Sequence, residues 1–338
     1  MANPHLTFFC ELDGAQSLEL FSEQVIADLS VMKANLSMGV KDLNNARAAC
    51  VRRLNRAGVP VIARLLLPSE QGYWLNAGNF PQAFEQYKLF KDWTTEHGLR
   101  WKGIGLDFEP DIRDLEQWSK NRMSVLPGIV RRFFNRKRFR NTQRAYTQLV
   151  EEIHADGYWV ESYIHPFIQD ERMAGSTLYR KMTGLVDVIT DQEVLLLFSS
   201  SFQPNGVGML GSYAPEAQAV GLGVIGVGSR AGLGEGGTLS WQEVERDLRL
   251  AWYSCDDIYL YTIEGCIQTG ILTRLKEFQW DYPILLPEQE IEKVIAWRAA
   301  LRSSLWFTAH LTPLFITALG IVMFMFSLRR LLHRRLRN

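Results

Sequence analysis

The residues that most invite a chemical reading are Asp107 and Glu109, at the end of the run WKGIGLDFE at 101–109. Side chains alternate along an extended strand, so two acids separated by one residue point the same way. Carboxylates held that close repel, and one is pushed toward its protonated form at neutral pH, the state a general acid needs. Lys33 and Arg64, on neighbouring runs, offer the alternative that the pair is salt-bridged for structure alone. Further acids stand at the ends of apolar runs: Glu11 and Asp13 after the first, Asp191 and Glu193 around the sixth, and Glu264 after the last.

Flat and polar groups gather where a sugar ring would need them. The segment SEQGYWLNAGN at 69–79 sets Tyr73 and Trp74 beside Gln71 and Asn76, apolar faces next to amides. Tyr163 and His165 close the fifth run, and Phe202 follows the sixth. Metal chemistry is poorly provided for. Of 6 histidines only His165 ends a run, and the 4 cysteines (Cys10, Cys50, Cys255, Cys266) show no C-x-x-C spacing. No cofactor or metal is expected; a divalent ion held by Glu11, Asp13, Asp107 and Glu109 is the arrangement a metal-dependent phosphodiesterase would use.

Eight β-branched or apolar runs must position these residues: 6–12, 31–38, 59–67, 101–108, 158–164, 186–198, 223–228 and 257–263. Helical patterns separate them, among them 42–57, 81–97, 141–156, 169–182, 241–253 and 268–278. Strand and helix in repeated alternation call for parallel pairing with right-handed crossovers. The expected fold class is α/β, a (β/α)8 TIM barrel over residues 1–284, with its chemistry at the C-terminal ends of the strands. GLGVIG at 221–226 matches G-x-G-x-x-G, yet it enters a strand instead of opening a helix after one, so it does not read as a dinucleotide loop.

Beyond the barrel, 285–304 reads as a juxtamembrane helix, 305–328 as a transmembrane helix and 329–338 as a basic tail. The stretch 305–328 contains no Asp, Glu, Lys or Arg. At ~1.5 Å per residue it reaches across a hydrocarbon core ~30 Å thick. Formal net charge is zero, which gives no reason to expect nucleic acid. No acid lies between Glu116 and Glu151, however, and the insertion 123–140 interleaves Arg131, Arg132, Arg136, Lys137, Arg138 and Arg140 with Ile129, Val130, Phe133, Phe134 and Phe139. Ile129 and Phe133, like Val130 and Phe134, share a helix face. That composition predicts contact with membrane lipids. The expected localisation is a single-pass membrane protein, its barrel facing the cytoplasm because the opening residues lack a leader and a basic insertion prefers an anionic leaflet.

The run KGIGLDFE at 102–109 resembles the fourth-strand motif of glycoside hydrolase family 18, the chitinase-like barrels: D-G-x-D-x-D-x-E, usually with an aromatic between the last two acids. The resemblance implies that Glu109 is the proton donor and that Asp107 positions a substrate acetamide. Lys102 and Gly105 stand at the two earlier aspartate positions, and LLFS at 196–199 lacks the tyrosine of the family's M-x-Y-[DN]. If the acetamide-assisted route is closed, a second carboxylate must serve as nucleophile or base. Glu264 and Asp13, which closely follow clear strands, are the candidates. The expected function is a membrane-anchored glycoside hydrolase acting on a carbohydrate or glycolipid. Its alternatives are a barrel that binds a glycan or lipid headgroup without cleaving it, and the metal-dependent phosphodiesterase.

Overall fold

The computed structural model describes residues 3–223, 225 and 238–335, with side chains described up to residue 311. Its strands are β1 His5–Cys10, β2 Asn35–Val40, β3 Val61–Leu65, β4 Gly103–Asp107, β5 Trp159–Ile164, β6 Gln192–Leu196, β7 Ala219–Gly223 and β8 Asp257–Tyr261. Each pairs in parallel with the next, and β8 pairs with β1, closing a barrel in sequence order. This is the expected (β/α)8 architecture. The helices are α1 Gly14–Leu20, α2 Glu23–Val31, α3 Asn45–Arg56, α4 Phe80–His97, α5 Ile112–Lys120, α6 Leu126–Phe134 and α7 Arg136–Ala155. They continue with α8 Phe167–Met173, α9 Leu178–Thr183, α10 Gly206–Tyr213, α11 Trp241–Trp252, α12 Ile263–Gln268, α13 Ile271–Lys276 and α14 Glu288–Arg335.

The strands alternate between two cores, as a period of two dictates. Ile104, Leu106 and Phe108 pack outward with helix residues such as Phe90, Tyr146 and Leu149. Phe9, Tyr163, Leu196, Tyr259 and Tyr261 fill the barrel's interior. Register sets Arg64 beside Gly105, Gly105 beside Glu161 and Asp107 beside Tyr163. At Gly105 a β-carbon would lie 2.8 Å from the Tyr163 ring and hydroxyl. The room a side chain at 105 would need is therefore taken by Tyr163, which gives a physical reason for the missing aspartate of the chitinase-like motif.

Three strands depart most from expectation. β2 begins at Asn35, not 31, because Ser22 caps α2 and carries the helix through Val31, which is 73% exposed. β6 covers only part of 186–198; Asp187, ahead of it, is bound by Arg172 and Arg180. β7 lies at Ala219–Gly223, and most of the expected run 223–228 is outside the described residues.

The C-terminal reading requires correction. Among the described residues no helix is long and apolar enough to cross a membrane, which overturns the single-pass localisation. Residues 312–328 and the basic tail lie outside the residues whose side chains are described. The described part of α14 is not a free juxtamembrane stalk: it is docked on the barrel. Arg298 lies 3.1 Å from the Asp170 carboxylate and 2.6 Å from that of Glu216, with its guanidinium 3.6 Å above the Tyr213 ring. Val294 and Leu305 are buried while Ile295, Trp297, Trp306 and Phe307 face outward, a one-sided pattern that a count of charge-free residues conceals. The insertion 123–140 loses the anchor on which its lipid contact leaned. It folds back onto the barrel, Arg132 pairing with Asp114 at 2.5 Å and Arg138 donating to the Gly78 carbonyl at 3.4 Å, while Met123, Val130 and Phe134 remain exposed.

Candidate active site

At the C-terminal end of the barrel, groups from four strands converge on Arg64. This arginine points inward from β3, in the middle of the apolar run VIARL. Its Nη1 donates to Asp107 Oδ2 at 2.6 Å and its Nη2 to Glu11 Oε1. The other Glu11 oxygen accepts from the Tyr73 hydroxyl, and the Glu11 backbone N–H donates to Glu264 Oε1 at 3.1 Å. Burial opposes the Arg64 cation, but Asp107 and the surrounding phenols more than offset it, so the guanidinium stays charged.

Asp107 is 1% exposed and Glu109 is half-buried. Burial pushes both carboxyls upward. Arg64 pulls Asp107 back down, whereas the Asp107 charge pushes Glu109 higher, well above the usual carboxylate range. Asp107 Oδ1 is buried with no hydrogen-bond partner, and the Glu109 carboxyl lies close enough to act on it. Sharing one proton would resolve the repulsion between the two acids, and the Asp107 charge favours Glu109 as its holder.

Glu264 sits in the first turn of α12, with Oε2 buried and unpartnered. Burial lifts its pKa to about 7, so it changes charge near neutrality. Asp13, by contrast, is engaged in a helix cap. Its Oδ1 accepts the Gln16 backbone N–H at 2.9 Å, and the Gln16 amide returns to the Asp13 backbone.

The loop after β3 is a packed element. Tyr73 adopts φ 62°, and its ring meets Trp74 edge-on at 5.2 Å, both buried with Leu66 and Ile112. Asn76 is also buried and accepts the Gly78 backbone N–H at 2.8 Å; Gln71 is exposed. Tyr163 shares its hydroxyl with Ser37 at 2.6 Å and with Glu161, inside the barrel. His165 is half-buried, bonded through Nδ1 to the Tyr179 hydroxyl at 2.9 Å, and burial lowers its pKa to about 4, which leaves it neutral.

The structure thus brings Asp107, Glu109 and Glu264 to one cluster with Tyr73, and leaves Asp13 and Asn76 in local turns. Sequence reasoning named Arg64 only as an alternative salt-bridge partner of the two acids; the structure pairs it with Asp107, and its second bond, to Glu11, was not foreseen. Nor was Glu161, which accepts from Tyr259 at 2.7 Å below the mouth. Among the described residues, no group of three or more His, Cys, Asp or Glu is disposed to hold a metal ion.

No known protein family matches the sequence, and no curated protein does. Solved structures of similar fold include a family GH18 chitinase from Chromobacterium violaceum, at 14% identity and TM-score 0.44, covering 81% of this chain and 82% of that one. An L-ribulose 3-epimerase matches at 13% identity and TM-score 0.42, over 91% and 98% of the two chains. A xylanase–α-amylase inhibitor protein solved with trehalose matches at 8% identity and TM-score 0.42, over 82% and 100%. The likeness is one of barrel layout, and no activity is read from it.

Proposed function

We propose that this chain is a glycoside hydrolase that cleaves its substrate by carboxylate acid–base chemistry, with Glu109 as the general acid. The observation that carries the reading is the half-buried Glu109 carboxyl beside the buried Asp107, whose charge, together with burial, pushes Glu109 well above the usual carboxylate range. A protonated carboxyl at a half-buried rim can deliver its proton to a leaving glycosidic oxygen, a contribution of roughly 10²–10⁴-fold in rate. Asp107, fixed by Arg64, keeps that proton in place and is a positioning residue. Glu264, ionising near neutrality, serves as the second carboxylate that activates water or attacks the sugar. Gln71, exposed on the loop after β3, and the half-buried His165, just past β5, would contact sugar hydroxyls, with Tyr73 holding Glu11 in register.

The test is release of chromophore from a panel of aryl glycosides by the purified protein, native and Glu109→Gln. Loss of turnover in a variant that melts like the native protein supports the assignment; full activity in that variant refutes it. A second reading, glycan binding without cleavage, is favoured by the burial of Asp107, Tyr73 and Trp74, which leaves few groups at the rim. Saturable binding of an oligosaccharide recovered intact would select it.

A further inference from the structure

A cavity of about 400 Å³ opens beside the barrel's mouth, walled by the loops after β3 and β4 and by α6, α7 and α9. Its lining carries six cations, Arg113, Arg131, Arg132, Arg138, Arg180 and Lys181, against two carboxylates, Asp111 and Asp114. Three of the cations are neutralised: Arg113 by Asp111 at 2.5 Å, Arg132 by Asp114 at 2.5 Å, and Arg180 by Glu171 at 2.6 Å and Asp187 at 2.5 Å. Arg131, Arg138 and Lys181 have no carboxylate partner among the described residues. Lys181 stands 5.6 Å over the Phe139 ring, and burial together with Arg136, Arg180 and Arg140, opposed in part by the Glu171 charge, weakens its hold on its proton. Positive charge gathered in a concavity is costly for the fold and is relieved by an anion.

We propose that this cavity binds the phosphoryl group of a small organic phosphate. Three uncompensated cations exceed what a single carboxylate neutralises and match a tetrahedral dianion, whose oxygens accept both guanidinium forks and the ammonium. The volume lies within the range of pockets that hold small organic ligands, so room remains for the group that carries the phosphate. Asp111 lies two residues beyond Glu109 in the chain, so the bound ligand sits against the loop that leaves the candidate active site. The proposal stands independently of glycoside cleavage.

Calorimetric titration of the whole chain with inorganic phosphate, glucose 6-phosphate and glucuronate tests it. Glucose 6-phosphate is expected to saturate at one per chain, with glucuronate weaker. Arg138→Gln and Lys181→Gln should each weaken binding by roughly tenfold, the worth of a charge-assisted hydrogen bond, while Lys181→Arg largely restores it. Binding of inorganic phosphate with the same variant dependence but no gain from the sugar would still support a phosphoryl site. Absence of saturable heat with either phosphate overturns it. So does equal affinity in variants that retain the native melting profile.

Discussion

Replacing Asp107 with Asn isolates the cause of the proton on Glu109. Two effects lift that carboxyl, burial first and the Asp107 charge second. The amide keeps the volume and the burial but removes the charge. Two unit charges about 4 Å apart at an effective dielectric of about 20 repel by about 4 kcal/mol, equivalent to about 3 pKa units. Arg64, 2.6 Å from Asp107, already cancels part of that repulsion, and it stays charged in the variant. A fall at Glu109, back toward the ordinary carboxylate range, is therefore expected. The sign for catalysis follows. On the proposed mechanism activity should rise as Glu264 ionises through about 7 and fall as Glu109, pushed well above the usual carboxylate range, loses its proton. Asp107→Asn should move only the descending limb, toward lower pH, narrowing the bell and reducing its peak. The assay is kcat/KM against pH on an aryl glycoside. It is paired with an infrared titration of protein labelled with ¹³C at its glutamate carboxyls, which follows the proton without turnover. A descending limb that stays put or moves upward refutes the reasoning.

Arg64→Leu strips Glu11 and Asp107 of their shared cation and should cost about 3–5 kcal/mol at neutral pH, read by urea denaturation. Asp107 already has a raised folded-state pKa, and losing Arg64 raises it further, so the folded variant gains protons as pH falls. The deficit should shrink in mild acid and grow on the alkaline side. Gly105→Ala forces a methyl to within 2.8 Å of Tyr163 and should destabilise by about 1–3 kcal/mol, seen as a lower Tm. Arg298→Met takes one of two arginines from the buried Asp170, leaving Arg302 at 3.3 Å and the Tyr213 hydroxyl; it should cost about 1–3 kcal/mol and expose the start of α14 to limited proteolysis.

Much of the barrel was legible because its signals are local. Alternating runs and helical stretches mark strand and crossover whatever surrounds them, and each strand of the closed sheet overlaps one of those runs, β7 by Gly223 alone. There the apolar run AVGLG at 219–223 pairs with β8, while its glycine-rich continuation drew the reading too far along the chain. The helix 288–335 misled for a different reason. A hydropathy window registers the absence of charge, but whether a helix docks depends on the groups waiting for it. Asp170, Tyr213 and Glu216, which hold Arg298, lie 82 or more residues away in sequence.

The candidate site divides along the same line. Spacing alone put Asp107 and Glu109 on one side of a strand and required that one of them stay protonated. Spacing could not say which. That choice belongs to Arg64, which lies 43 residues from Asp107 and 53 from Glu11 in sequence and meets them only once the barrel has closed. Because the guanidinium grips Asp107, the negative charge settles there and the proton is driven onto Glu109, the half-buried member of the pair. Had the arginine faced Glu109 instead, the proton would rest on Asp107, which is buried too deeply to give it to a substrate. On the proposed reading the acid at the rim is made by a cation beneath it, and the chemistry of β4 is set from β3.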